Sequence, residues 1–196
     1  MKFKISILLT CLLTISLFAQ QKPVKVKAKL QHADLIERDP KKYEGNQFLT
    51  GNVVIEYKGD LVYADSAVLY QDKNLAVVWS NARLVSKDKT ITADKMEYDG
   101  NTTIAKAFKN VVLTDPGSRI TADYMEYNKT TEIATGIGKV EVKTPTQQIS
   151  SEKIIYERLT GNIIVNDTYK TIGSDGTLVE GRNVVYNIKS KSANFG

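Results

Sequence analysis

Residues 91–115, ITADKMEYDGNTTIAKAFKNVVLTD, are restated from Ile120 onward as ITADYMEYNKTTEIATGIGKVEVK. Asp94 matches Asp123, Met96 matches Met125, Tyr98 matches Tyr127 and Ile104 matches Ile133, each at a spacing of 29. A repeat of this length is one supersecondary unit that cannot bury its apolar face alone, so the chain must stack its units against one another. An acid preceded by a small residue marks each unit: Asp65 after Ala64, Asp94 after Ala93, Asp123 after Ala122 and Glu152 after Ser151. Gly181 and Arg182 form a worn fifth copy, and LQHADLIER carries a degenerate first one at Ala33 and Asp34.

Within a unit the apolar period is two, which predicts strands. Val53, Ala82, Val111 and Val140 fill one column, and Ile55, Leu84, Leu113 and Val142 the next but one. The column between them, Val54, Arg83, Val112 and Glu141, tolerates charge, so the first two face inward. Leu75, Ile104, Ile133 and Ile163, followed by Trp79, Phe108 and Ile137, are expected in the same interior. A tyrosine column, Tyr70, Tyr98, Tyr127, Tyr156 and Tyr186, recurs at steps of 28, 29, 29 and 30. At the acidic corner Ile91 and Ala93 share one phase while Met96 and Tyr98 share the other, so the strand must bend there. Gly59, Gly100, Gly117, Gly161 and Gly176 punctuate the strands as turns require. The expected fold is an elongated all-β stack of repeats of about 29 residues. A meander and the coils of a solenoid both satisfy this pattern.

The first residues are of a different kind. MKFK is basic, residues 5–18 are mostly apolar, and Ala19 precedes a polar change at Gln20, which is the pattern of a cleavable secretory signal. Fourteen such residues are short for a spanning helix, and Cys11 lies too early in the run for a lipoprotein signal. Cleavage would remove the only cysteine, leaving no thiol for a disulfide, a zinc site or a nucleophile. Losing Lys2 and Lys4 lowers the formal charge from +5 to +3, too mild for a nucleic-acid partner. The expected organisation is a signal peptide over residues 1–19, a basic arm over 20–29 and one β domain over 30–196.

No catalytic set emerges. Asp65, Asp94, Asp123 and Glu152 supply one equivalent carboxylate per unit, whereas glycan hydrolysis needs two unlike carboxylates at one bond. A short acid at a corner is better explained as an acceptor for backbone N–H groups. Calcium repeats need denser Gly and Asp, and no nucleophile elbow, phosphate loop or HExxH occurs. The lone His32 has no cysteine partner, and no metal or cofactor is expected. The tyrosines suit strand ends that bury the ring and keep the hydroxyl wet, with sugar stacking as the alternative.

GNVVIEY, VYADSAVLY, ITADKMEYD and ITADYMEYN resemble the repeated motifs of the OstA-like (LptA) lipopolysaccharide-transport proteins, across residues 30–186. The resemblance implies an elongated β-jellyroll of consecutive antiparallel strands, open along one side, that holds the acyl chains of lipopolysaccharide. It also implies a periplasmic bridge from inner to outer membrane. Such domains would join head to tail, with themselves or with the homologous jellyrolls of inner- and outer-membrane transport components. The inward residues expected to line an acyl chain are Val53, Ile55, Leu84, Ile91, Met96, Phe108, Leu113, Ile120, Met125 and Val142. The predicted cleavable signal argues against the membrane-anchored relative, and the want of a following barrel against the translocon. Two other classes remain: a structural β-solenoid with a sealed core, and a polysaccharide-active enzyme using the acidic column.

Overall fold

A computed structural model describes residues 27–38, 41 and 46–195; the expected signal peptide and most of the expected basic arm lie outside them. Two short strands open the described chain, β1 (Lys29–His32) and β2 (Leu35–Glu37). Ten long ones follow: β3 (Gln47–Tyr57), β4 (Asp60–Tyr70), β5 (Leu75–Ser86), β6 (Lys89–Asp99), β7 (Ile104–Asp115), β8 (Ser118–Asn128), β9 (Ile133–Lys143), β10 (Gln147–Glu157), β11 (Asn162–Gly173) and β12 (Leu178–Asn187). A short β13 (Ser192–Phe195) ends it. All thirteen form one antiparallel sheet in which each strand from β3 onward pairs with its neighbour in sequence. The stack is therefore a meander.

β1 and β2 are the two halves of one bent strand, since both pair with β3, on either side of Ala33 and Asp34. The degenerate first unit is thus a real unit with a real corner.

Every long strand is creased near its middle. In β3, β5, β7 and β9 two successive residues adopt left-handed backbone: Gly51 and Asn52, Ser80 and Asn81, Lys109 and Asn110, Gly138 and Lys139. Each doublet stands opposite a gap in the pairing of the neighbouring strand, between Thr92 and Lys95 in β6 and between Thr121 and Tyr124 in β8. Two residues opposing one is a bulge, which bends a strand and sharpens its twist. Repeated at the same height across the sheet, the bulges fold it in two, and the halves face each other across an apolar interior.

The corner acids sit on the outside of this crease. Asp34 accepts a hydrogen bond from the Asn52 amide at 2.9 Å, Asp65 from Asn81 at 2.6 Å, and Asp94 from Asn110 at 3.1 Å. Asp65 and Asp94 are acceptors as expected, but from the side-chain amides of the left-handed residues and not from backbone N–H groups. Asn tolerates that conformation better than most residues. The corner acids are exposed, each at its own corner.

Three expected columns need correction. Leu69, not Tyr70, faces the interior of β4, so Leu69 occupies the place of Tyr98 in the next unit. The repeat is a regular 29 there, and the apparent step of 28 came from a tyrosine one residue off phase. Likewise Trp79, Phe108 and Ile137 stand on the outer face, Ile137 at 43% exposure, as do Leu75, Ile104 and Ile133. The inner positions of those half-strands belong to Ala76, Val78, Ala105, Ala107, Ala134 and Gly136. Both faces of these segments are apolar, so period alone assigns the bulkier column to the core.

Because a Cβ on Gly138 would sit 2.8 Å from the Asp123 carboxylate at a φ of +78, Gly138→Ala is expected to cost about 1–3 kcal/mol. Urea unfolding checks this as a lower midpoint at unchanged slope. Asn110→Ala should lose on the order of 1 kcal/mol with its corner bond.

Candidate functional site

The interior is built from rows that run across the strands. One passes through Ile55, Val62, Leu84, Ile91, Leu113, Ile120, Val142 and Ile149, each paired with the next. A second reads Ala67, Val78, Met96, Ala107, Met125 and Gly136. Each methionine is flanked by smaller side chains on both neighbouring strands, so its long thioether has room beside it. Val53, Ile55, Leu84, Ile91, Met96, Leu113, Ile120, Met125 and Val142 all face this interior and are at most 2% exposed. Phe108 does not; its ring lies on the outer face, 5.3 Å from that of Tyr124.

Sequence reasoning missed what closes the mouth. The hairpin turns alternate between two lips, and side chains reach across from one lip to the other. Tyr57 donates to the Gly100 carbonyl and accepts from the Asn74 amide at 2.8 Å. Asp60, 1% exposed, accepts from Tyr98 at 3.2 Å and pairs with Lys129 at 2.7 Å. Lys89, buried to 2%, pairs with Glu132 at 2.9 Å. Arg158 bridges Asp88, Asp115 at 3.0 Å and Glu132 at 3.4 Å, while Tyr156 donates to Asp115 at 2.9 Å. Further along, Tyr186 meets the Thr146 hydroxyl at 3.0 Å. From Tyr98 onward the tyrosine column is thus a row of latches, buried at the ring and mostly bonded at the hydroxyl. The legible signal was the coincidence of tyrosines on one lip with Asp60, Lys89 and Asp115 on the other.

The seam is charge-coupled. Burial pushes the Tyr98, Tyr127 and Tyr156 hydroxyls well above the usual tyrosine range, and the nearby carboxylates of Asp60, Glu132 and Asp115 push the same way. Burial raises the Glu132 carboxyl too, but Lys89, the Tyr127 hydroxyl and Arg158 outweigh it and hold the group below its ordinary value. Burial works against the Arg158 cation, yet Asp88, Asp115 and Glu132 keep it charged. The Tyr127 hydroxyl is buried without a hydrogen bond of ordinary geometry, and the Lys89 ammonium lies 5.1 Å from its ring centre.

Beyond β10 the ionic seam stops and the interior opens. A cavity of about 260 Å³ lies among Ile149, Tyr169, Val179, Val184, Tyr186 and Phe195, and Phe195 stacks on Tyr169 at 6.4 Å. Its wall continues the first interior row, since Ile149 pairs with Thr171 and Thr171 with Val179.

A meander creased into two facing halves around apolar rows is a known arrangement, and the family model of OstA-like proteins matches residues 25–181. The chain belongs to the OstA-like family. Among solved structures it is similar to LptH of Pseudomonas aeruginosa, described as the LptA homologous periplasmic component of the conserved lipopolysaccharide transport device. That likeness has a TM-score of 0.51 at 21% identity and covers 55% of this chain and 81% of LptH, which establishes a shared fold. Among curated proteins none matches. Within the OstA-like domain, no helix of the described residues is long and apolar enough to cross a membrane.

Stability should fall at both ends of the pH scale. Below the ordinary carboxyl value of 4.5 the unfolded chain takes up a proton that Glu132 in the seam resists. Above the ordinary tyrosine value of 10.0 the unfolded chain releases protons that Tyr98, Tyr127 and Tyr156 retain. Urea midpoints measured across pH check both limbs. Glu132→Gln strips the buried Lys89 of its counter-charge and should cost about 3–5 kcal/mol at neutral pH while flattening the acid limb.

Proposed function

We propose that this OstA-like chain is a non-enzymatic carrier of lipopolysaccharide, exported to the periplasm by its N-terminal signal, that shields acyl chains inside its folded sheet and helps bridge inner and outer membranes. The observation that carries the reading is the unbroken interior row from Ile55 to Ile149, continued by Thr171 and Val179 into an open cavity. Holding an acyl chain of roughly a dozen carbons in water costs on the order of 10 kcal/mol, so a carrier must cover it throughout. A row of similar Val, Ile and Leu side chains offers cover at every strand without a single trapping pocket. The cavity near β10–β12 is the entry, larger than the ~150 Å³ apolar cavity that suffices to bind benzene. Deeper occupancy requires the lips to part along the Lys89, Glu132 and Arg158 seam. In the closed state those cations are held by carboxylates, so a lipid phosphate must compete for them.

The ends suit pairing with a second such domain. Leu35 and Ile36 are 52% and 49% exposed on β2, and Leu178 and Val179 are 51% and 39% exposed on β12. β13 covers only residues 184–187 of β12, leaving backbone groups of its other half for an incoming strand.

The tight closure of the body favours a second reading, a sealed structural stack. Ile120→Asp separates the two. Native mass spectrometry of the signal-free protein should retain added lipopolysaccharide for the parent and lose it for a folded Ile120→Asp variant. A parent that takes up no lipid leaves the structural reading standing.

A further inference from the structure

The outer face carries a feature that lipid shielding does not use. Directly paired residues form a row across seven strands: Ser66, Trp79, Lys95, Phe108, Tyr124, Ile137 and Lys153. Four of the seven members, Trp79, Phe108, Tyr124 and Ile137, are large and apolar, on the face away from the core. Trp79, the only tryptophan of the chain, is partly exposed there and tilted against Phe48 at 5.9 Å. The row contains two lysines and no acid. Beside Trp79 the crease opens into a groove of about 670 Å³ edged by Asn81, Arg83, Thr92, Asp94 and Asn110. Aromatic faces bordered by planar amides, a carboxylate and a guanidinium are the chemistry that recognises sugars: C–H faces stack on rings while hydroxyls find paired donors and acceptors.

Spacing narrows the class. Trp79 and Phe108 lie two strands apart, about 9.6 Å, which is near the repeat of a β-linked disaccharide, whereas α-linked chains curl away from a flat row. Lys95 and Lys153 add charge complementary to carboxylate substituents on such a strand. Lys95 stands between the two rings in the row, 5.2 Å from the Phe108 ring centre, and pairs with the partly exposed Glu97.

We propose that this row and its groove form a binding platform for a β-linked glycan strand, with sugar rings on Trp79 and Phe108 and the crease groove contacting hydroxyl groups. The platform is separate from the interior, so it stands or falls independently of lipid binding.

Because Trp79 is the sole tryptophan, its emission reports occupancy directly. Titration of the signal-free protein with chitohexaose should give a saturable emission change, with chitobiose roughly tenfold weaker for want of the second ring. Phe108→Leu keeps apolar bulk on the sheet but removes the ring, and should erase the advantage of the hexamer while leaving the response to chitobiose. Trp79→Ala, followed by calorimetry, should abolish binding, with melting curves verifying the fold of both variants. Lys153→Ala should weaken amidase-released, carboxylate-bearing glycan strands while sparing chitohexaose. No emission change at millimolar chitohexaose overturns the proposal. So does an equal response to maltohexaose, or a response to phosphatidylglycerol vesicles alone, which would make the row a lipid-surface contact.

Discussion

The paired left-handed residues at the middle of β3, β5, β7 and β9 are the constraint from which the remaining architecture follows. Without Gly51 with Asn52, or Lys109 with Asn110, strands of eleven or twelve residues would run straight and leave a flat sheet with one apolar face in water. Two residues facing one in the neighbouring strand force the crease. Left-handed backbone is costly for most residues, of order 1 kcal/mol or more apiece. The Asn amides offset part of that by bonding to Asp34, Asp65 and Asp94 across the corner. Those three acids therefore have a structural part in the crease.

Once the sheet is folded, two demands oppose each other. Burying the apolar rows favours closing the lips, while burying Lys89 and Asp60 at those lips is tolerable only if each charge keeps its partner. The tyrosines reconcile them: each lays its ring over the edge of the core, and those that reach a partner place the hydroxyl within its reach. The seam is thus strong when complete and vulnerable when one member is lost. It also ends where the cavity begins, so cover and access are assigned to different parts of one sheet.

The repeat made most of the fold legible. A spacing of 29, a period of two and a parity change at Ala93 and Asp94 lead to strands, corners and the inner columns at Val53, Ile55, Leu84 and Leu113. What stayed hidden involved residues whose partners lie far along the chain. Lys89 meets Glu132 across 43 positions, and no local pattern announces it. Phe108 and Trp79 misled for a different reason: a large apolar residue on an apolar strand is assigned to the core unless the small residue beside it is known to face the methionines. Ala107, paired with both Met96 and Met125, is that residue.

Backbone contact between strands joins only neighbours in the chain, apart from β1, which with β2 forms one bent strand against β3. Such a molecule is close to one-dimensional, and its length is a free variable. Inserting or deleting one whole repeat would add or remove two strands, about 9.6 Å of stack, without altering the environment of any other crease. Reach along the stack axis can thus evolve by copying a segment of gene, one notch at a time, with the end strands unchanged at either tip.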